Sequence, residues 1–359
     1  MAEITIEQAL YRREGLETPR LLARSPGFRE EWTADAEWLV LGFGDPPPGA
    51  ACPAAVYAHP LGKQHVAVVQ VADRSVVGSS RQPVLGYHLL VIPQTEYAKF
   101  LGDPFAVARL LPPPWDGHDP LPARALPATP LPARNVQDVQ QILQRTKAAA
   151  LSEDVDPDSE AYHEHTVQNA QSPALLGGVQ VLVDGGRVVF ERPDPDQDLL
   201  HGLWTLLPNR TRCHLWPASF AFSNALRFDA LVTPRARQEE FQDYTREEQA
   251  AEYPEGRYER RLQAAVEAGD QGELDVLFAR RSSNETMRLA ITLLAMVSVL
   301  VLLIKFFDLR QETGPPAVEH TRQRAAVVVS LVGSSSPLNT MGMLPLAQKT
   351  WNTVGEGGR

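Results

Sequence analysis

Apolar residues in this chain fall into short runs up to about residue 115, into helical spacing mixed with short runs after Asn135, and into one uncharged run near residue 300. Arg20 to Ala23 predicts a short strand leading into a turn at Ser25-Pro26-Gly27, with the Ser25 hydroxyl expected to cap a helix over Arg29 to Leu41. Trp32, Ala36, Leu39 and Val40 would share one face of that helix. Gly42 to Pro53 ends it, and His65 to Ala72 and Leu85 to Ile92 read as two central strands, paired antiparallel. Pro93 opens a helix over Gln94 to Leu101, and Gly102-Asp103-Pro104-Phe105 begins a further turn.

Pro112 to Arg134 holds eight prolines, which excludes regular helix or central strand and predicts a linker or extended strap. Asn135 is placed to cap an amphipathic helix over Val136 to Ala150, followed by an acidic loop from Ser152 to Glu160. Val179 to Val183, Asp184-Gly185-Gly186 and Arg187 to Glu191 read as a hairpin, because Asp-Gly supplies the positive φ of a tight primed turn. A helix over Asp198 to Leu207 and strands over His214 to Ser223 and Phe228 to Val232 would complete a ββαββ order, and the charged stretch Gln238 to Ser282 reads as a helical stalk.

The expected fold class is therefore α+β, with mixed or antiparallel sheets and packed helices, then a stalk, one transmembrane helix and a mostly disordered tail. The segments are an N-terminal α+β domain over 1–115, the strap, helix and acidic loop over 116–174, and the ββαββ unit over 175–234, packed with the first. A stalk over 235–285, a membrane helix over 286–307 and a tail over 308–359 follow. Sixteen uncharged residues, Leu289 to Ile304, carry the membrane expectation. With Lys305 snorkelling and Phe306 and Phe307 continuing the run, the helix would reach about 28 Å, close to a hydrocarbon core. A buried helix normally keeps a polar stripe, whereas this one has only Thr292 and Ser298, which bond back to their own helix.

The flanking charges do not orient that helix: Arg280, Arg281 and Arg288 precede it, and Lys305, Arg310, Arg322 and Arg324 follow. The polar start, MAEITIEQALYRREG, has no apolar core of a secretory signal, so the N-terminal region is expected in the cytoplasm with the chain crossing the cell membrane once. Two cysteines, Cys52 and Cys213, exclude a disulfide-stapled ectodomain and a Cys-rich zinc module. A net charge of −10 argues against nucleic acid as a partner.

Several short motifs occur in a recognisable order. They are Glu7-Gln8-Ala9-Leu10-Tyr11, Ala23-Arg24-Ser25-Pro26-Gly27-Phe28, the run Leu85 to Pro93 and Gly102-Asp103-Pro104-Phe105. Leu206-Leu207-Pro208 and Ser219-Phe220-Ala221-Phe222-Ser223 complete the series. In this order the chain resembles the N-terminal domain of bacterial GTPase-associated proteins, from multi-gene systems that encode such a protein beside a small GTPase or an AAA-type partner. It departs from them at Arg81-Gln82-Pro83-Val84, where the family favours Gly and Asn, and in having a membrane helix where further family domains would stand. The resemblance implies an adaptor or scaffold role in a signalling or defence system, with a GTPase or an AAA-type ATPase or protease as partner, and it brings no catalytic residue.

Residue chemistry taken alone is sparse. His163-Glu164-His165 could offer two ligands on one strand face, without a third at regular spacing, and Asp116, His118 and Asp119 are discounted in the same way, so no metal or cofactor is assigned. Gly62-Lys63 lacks the earlier glycine and the following Ser or Thr of a phosphate loop. Cys213 and His214 would point to opposite faces of a strand. Arg24, Arg210, Arg212 and Arg227 are the candidate surface for an acidic partner. The alternative function is a membrane-tethered hydrolase using polar residues from separate segments, such as His88, His59 and Asp73.

Overall fold

The computed structural model describes residues 3–47, 54–75, 83–127, 131, 133–152, 174–280 and 283–312, with side chains omitted at 147–152, 283–289 and 306–312. Cys52, the His163-Glu164-His165 cluster, the acidic loop after Ser152 and the tail beyond Glu312 lie outside the described residues. The chain divides into two compact units, residues 1–298 and 299–359.

Within the first unit the antiparallel pair expected from the sequence is present, β4 (His65–Asp73) beside β5 (Val84–Pro93), and it is part of a much wider sheet. The polar N-terminus forms β1 (Glu3–Glu14), which pairs with β5 on one side and with β2 (Arg20–Arg24) on the other. β3 (Ala55–Leu61) makes a hairpin with β4 through the Gly62-Lys63 turn, so that glycine and lysine serve a turn. The Pro-rich strap contributes a short strand, β6 (Arg124–Pro127), antiparallel to Glu3–Ile6 of β1.

The remaining strands run parallel: β7 (Arg187–Glu191) between β9 (Ala230–Thr233) and β10 (Tyr244–Arg246), with β8 (Pro217–Ala218) on the far side of β9. The two halves meet at β8 and β3, where Ser219 N–H donates to Val56 O at 2.9 Å and Val56 N–H donates to Ser219 Oγ at 2.8 Å. Across the sheet the order is β10-β7-β9-β8-β3-β4-β5-β1-β2. It is a mixed sheet with packed helices, the α+β class expected.

Both faces of the central strands are covered. Ala9 and Tyr11 of β1 join the main core, whereas Leu10, on the opposite face, packs with Ala23, Leu121 and Trp115 under the strap. On the main-core side lie α1 (Thr33–Gly42), α2 (Gln94–Lys99) and α3 (Pro104–Leu110). Trp32, Ala36, Leu39 and Val40 are buried together, as their spacing predicted. α4 (Val136–Ser152) begins where Asn135 Oδ1 accepts from Asp138 N–H at 2.7 Å.

Three expectations for the second half are corrected. Leu175–Val183 is a helix, α5, and not the first arm of a hairpin. It is buried from Leu175 to Leu182, and a short, wholly buried apolar run does not reveal its period. Its Asp184-Gly185 is a helix end, with Gly185 at φ +90°, the left-handed residue that commonly follows a last turn. Gly177 lets α5 approach α8 (Glu247–Ala251), since a Cβ there would lie 1.8 Å from Ala250 O.

The run His214 to Ser223 is not a strand either: the chain turns through α7 (Asn209–Arg212) after α6 (Gln197–Leu206), and only Pro217–Ala218 pairs. The ββαββ order is therefore absent. The expected stalk folds back instead: α9 (Arg257–Glu267) and α10 (Gln271–Phe278) bury Tyr258, Leu262, Leu274, Leu277 and Phe278 in the main core. Their high charge marks the outer face of amphipathic helices.

The last element is α11 (Ser283–Glu312). Among the described residues no helix is long and apolar enough to cross a membrane. The described side chains of α11, over 290–305, are exposed at every position.

Candidate functional site

The four arginines singled out from the sequence do not form one surface. Arg24 ends the edge strand β2 and pairs with Glu30 at 3.0 Å, and Arg227 sits between β8 and β9, paired with Asp243 at 3.1 Å. Arg210 and Arg212 share α7, Arg210 exposed and Arg212 only 2% exposed, with Arg212 Nη2 2.6 Å from Asp103 Oδ2. Burial removes Arg212 from any docking face.

His88, His59 and Asp73 do not converge. His88 is fully buried on the strap-side face of the sheet, where it donates from Nε2 to Gln8 Oε1 at 2.8 Å and accepts at Nδ1 from Gln70 Nε2 at 3.3 Å. The two amides continue to the strap, Gln8 Nε2 donating to Pro122 O at 2.5 Å and Gln70 Nε2 to Leu111 O at 2.7 Å. Burial, reinforced by Arg124, pushes the His88 pKa down to about 3. His59 packs edge-on to Trp38 with both ring nitrogens facing carbonyl oxygens, and burial lowers its pKa as well. Asp73 is exposed at the end of β4 and accepts from Ser75 N–H.

Ser25 does not cap the helix after it. Its Oγ accepts from Gln8 N–H at 2.9 Å and donates to Glu7 Oε2 at 2.5 Å, which ties the turn back onto β1. Cys213 is half-buried just past α7, on no strand. Asp116 pairs with Arg74, Asp119 Oδ1 accepts from Arg24 N–H, and among the described residues no group of His, Cys, Asp and Glu is placed to hold a metal ion.

A cleft of about 460 Å³ opens instead where α3, α4, α6 and the segment around Arg134 meet. Four arginines line it, Arg109, Arg134, Arg145 and Arg212, with His201 and three aspartates, Asp103, Asp138 and Asp198. Asp103 caps α3 by accepting from Ala106 N–H at 3.0 Å and holds Arg212 with its other oxygen. Gly102, at φ +62°, lets this turn sit against α7, because a Cβ would lie 2.6 Å from the Arg212 carbonyl carbon. Trp204 Nε1 locks the same turn by donating to Gly102 O at 2.8 Å.

Arg134 closes the end of α6: Nη1 donates to Thr205 O at 2.5 Å and Leu207 O at 2.7 Å, Nη2 bonds Asn209 Oδ1, and the guanidinium lies 3.4 Å from the Phe278 ring centre. Arg109 Nη2 donates to His201 Nε2 at 3.2 Å, which fixes that imidazole as neutral with its proton on Nδ1. Burial holds His201 below the ordinary histidine range, against the opposing field of Asp103 and with Arg109 and Arg212 reinforcing it. Arg109 and Arg145 are exposed and keep their heads in the cleft.

Sequence reasoning did not assemble this cleft. Its charged residues come from segments between Asp103 and Arg212 and share no spacing that a local pattern could report. No protein-family model matches the chain, and no curated protein matches it.

Proposed function

We propose that the protein is a single-pass membrane-anchored adaptor whose N-terminal unit, on the cytoplasmic side, binds a GTPase or an AAA-type ATPase or protease in a bacterial signalling or defence system. The observation that carries the membrane half is α11. Eleven large apolar side chains, from Ile291 to Ile304, are each 49–69% exposed, and at about 100° per residue they point in every direction around the helix. Each forfeits roughly half to two thirds of the roughly 1.5–3 kcal/mol that full burial would bring, about 1–2 kcal/mol, so a lipid environment is the solvent that suits them. The apolar stretch whose side chains are described, 290–305, is shorter than a full span, and the sequence extends it through Leu289, Phe306 and Phe307.

The adaptor half is supported by the placement of the resemblance motifs. Glu7 to Tyr11 and Leu85 to Pro93 lie on the neighbouring strands β1 and β5, and Ala23 to Phe28 runs from the end of β2 into a turn that Ser25 bonds to β1. Tethering would raise the local concentration of a partner without adding contacts.

Alkaline carbonate extraction of native membranes tests the anchor, and crosslinking followed by mass spectrometry tests the partner. The wild-type chain should stay in the membrane pellet, the Leu294→Arg, Leu300→Arg double variant should move to the supernatant, and one GTPase or ATPase should be recovered in stoichiometric amount. Release of the wild-type chain by carbonate would refute the anchor, and crosslinking with no stoichiometric protein would refute the adaptor.

A further inference from the structure

From the cleft lined by α3, α4, α6 and Arg134 we infer a binding site for a small molecule that carries a phosphate group. This inference is independent of the membrane anchor and of the protein partner. Its volume, about 460 Å³, falls among those of small-molecule pockets, and apolar side chains such as Leu131 and Ile142 form part of its wall. In a chain of net charge −10 the lining has four arginines against three aspartates, a local reversal of sign.

Arg212 points most directly to a ligand. It is 2% exposed and lines the cleft, yet its Nε has no hydrogen-bond partner among the described residues, and its Nη2 contacts Asp103 outside hydrogen-bond alignment. A buried guanidinium with unused donors is costly unless an acceptor meets it. Arg134 is occupied by its carbonyl partners, so it supplies field and no direct contact. Arg109, Arg145 and Arg212 remain, and they approach from three different elements.

That arrangement selects phosphate over carboxylate. A carboxylate offers two coplanar oxygens, which one arginine fork satisfies, whereas a phosphate monoester offers three oxygens in tetrahedral directions and accepts from several arginines at once. Asp138 and Asp198, both exposed at the cleft, are placed to accept from hydroxyl or amino groups elsewhere on the same ligand. A nucleotide has this combination of groups.

Isothermal titration of the full chain in detergent micelles, with AMP, inorganic phosphate and citrate as probes, decides the matter. AMP or inorganic phosphate should bind more tightly than citrate, and Arg109→Ala and Arg145→Ala should each weaken binding about tenfold or more, the scale of one charge-assisted hydrogen bond. Both arginines are exposed, so their loss should leave the circular dichroism unchanged, and Arg260→Ala on the outer face of α9 should bind as the wild type does. Absence of heat with both phosphate probes, tighter binding of citrate, or undiminished affinity in the Arg109→Ala and Arg145→Ala variants would overturn the assignment.

Discussion

His88 couples the stability of the sheet to pH in a way that one substitution isolates. In the folded protein its Nδ1 accepts from the Gln70 amide, whose nitrogen also donates to Leu111 O. A proton added to Nδ1 would face that N–H and would have to be held at a fully buried site. The folded pKa is lowered to about 3, against about 6.5 in the unfolded chain. The direction of the effect follows from that order. Above pH 6.5 both states are neutral and His88 adds no pH dependence; below it the unfolded chain takes up a proton that the folded chain refuses, so stability falls as pH drops towards 3. The full penalty is about 5 kcal/mol for a shift of this size, and the part falling between pH 6 and pH 4 is about 2.5 kcal/mol. Urea unfolding of the full chain in detergent micelles, followed by tryptophan fluorescence, measures it, because Trp204 and Trp32 are both buried in the core. A His88→Gln variant keeps a polar group between Gln8 and Gln70 and removes the titration. His59, His65 and His201, also held below the ordinary histidine range by burial, titrate in both proteins and cancel in the difference. The wild type should lose about 2.5 kcal/mol more than the variant between pH 6 and pH 4. Equal losses would refute the reasoning and mean that water or a relaxed sheet accommodates the imidazolium.

Two further substitutions test the turn that supports the cleft. Asp103→Asn keeps an oxygen to cap α3 but leaves the Arg212 charge unpaired in the interior, and should cost about 3–5 kcal/mol in the same unfolding assay, with a loss under 1 kcal/mol showing the pair to be dispensable. Gly102→Ala should cost well over the roughly 1 kcal/mol expected for Gly185→Ala, since both need positive φ but only at Gly102 would the new methyl meet backbone, and equal costs would contradict the close approach of this turn to α7.

Legibility followed the range of the interactions. The strands around Val68 and Leu89, the cap at Asn135 and the α+β class were readable because each depends on residues within one element. β1 was unreadable for the opposite reason. Its residues EITIEQALYRRE include Gln8, Arg13 and Glu14, and they become a central strand only because β5, β2 and β6 pair with it and because Gln8 finds His88 and Pro122. The same holds for α5, whose valines favour a strand until burial on every side makes a helix the form that satisfies its backbone.

By itself the sequence determined the antiparallel centre, the proline strap, the amphipathic helices and the apolar run of α11, since periodicity, proline and continuous hydrophobicity act over a few neighbouring residues. Tertiary structure decided that the charged segment after Gln238 returns to the core, that Arg212 is buried and Arg109 is not, and that a cleft with four arginines exists. Those outcomes depend on which distant side chains share a volume, and no local pattern carries that information.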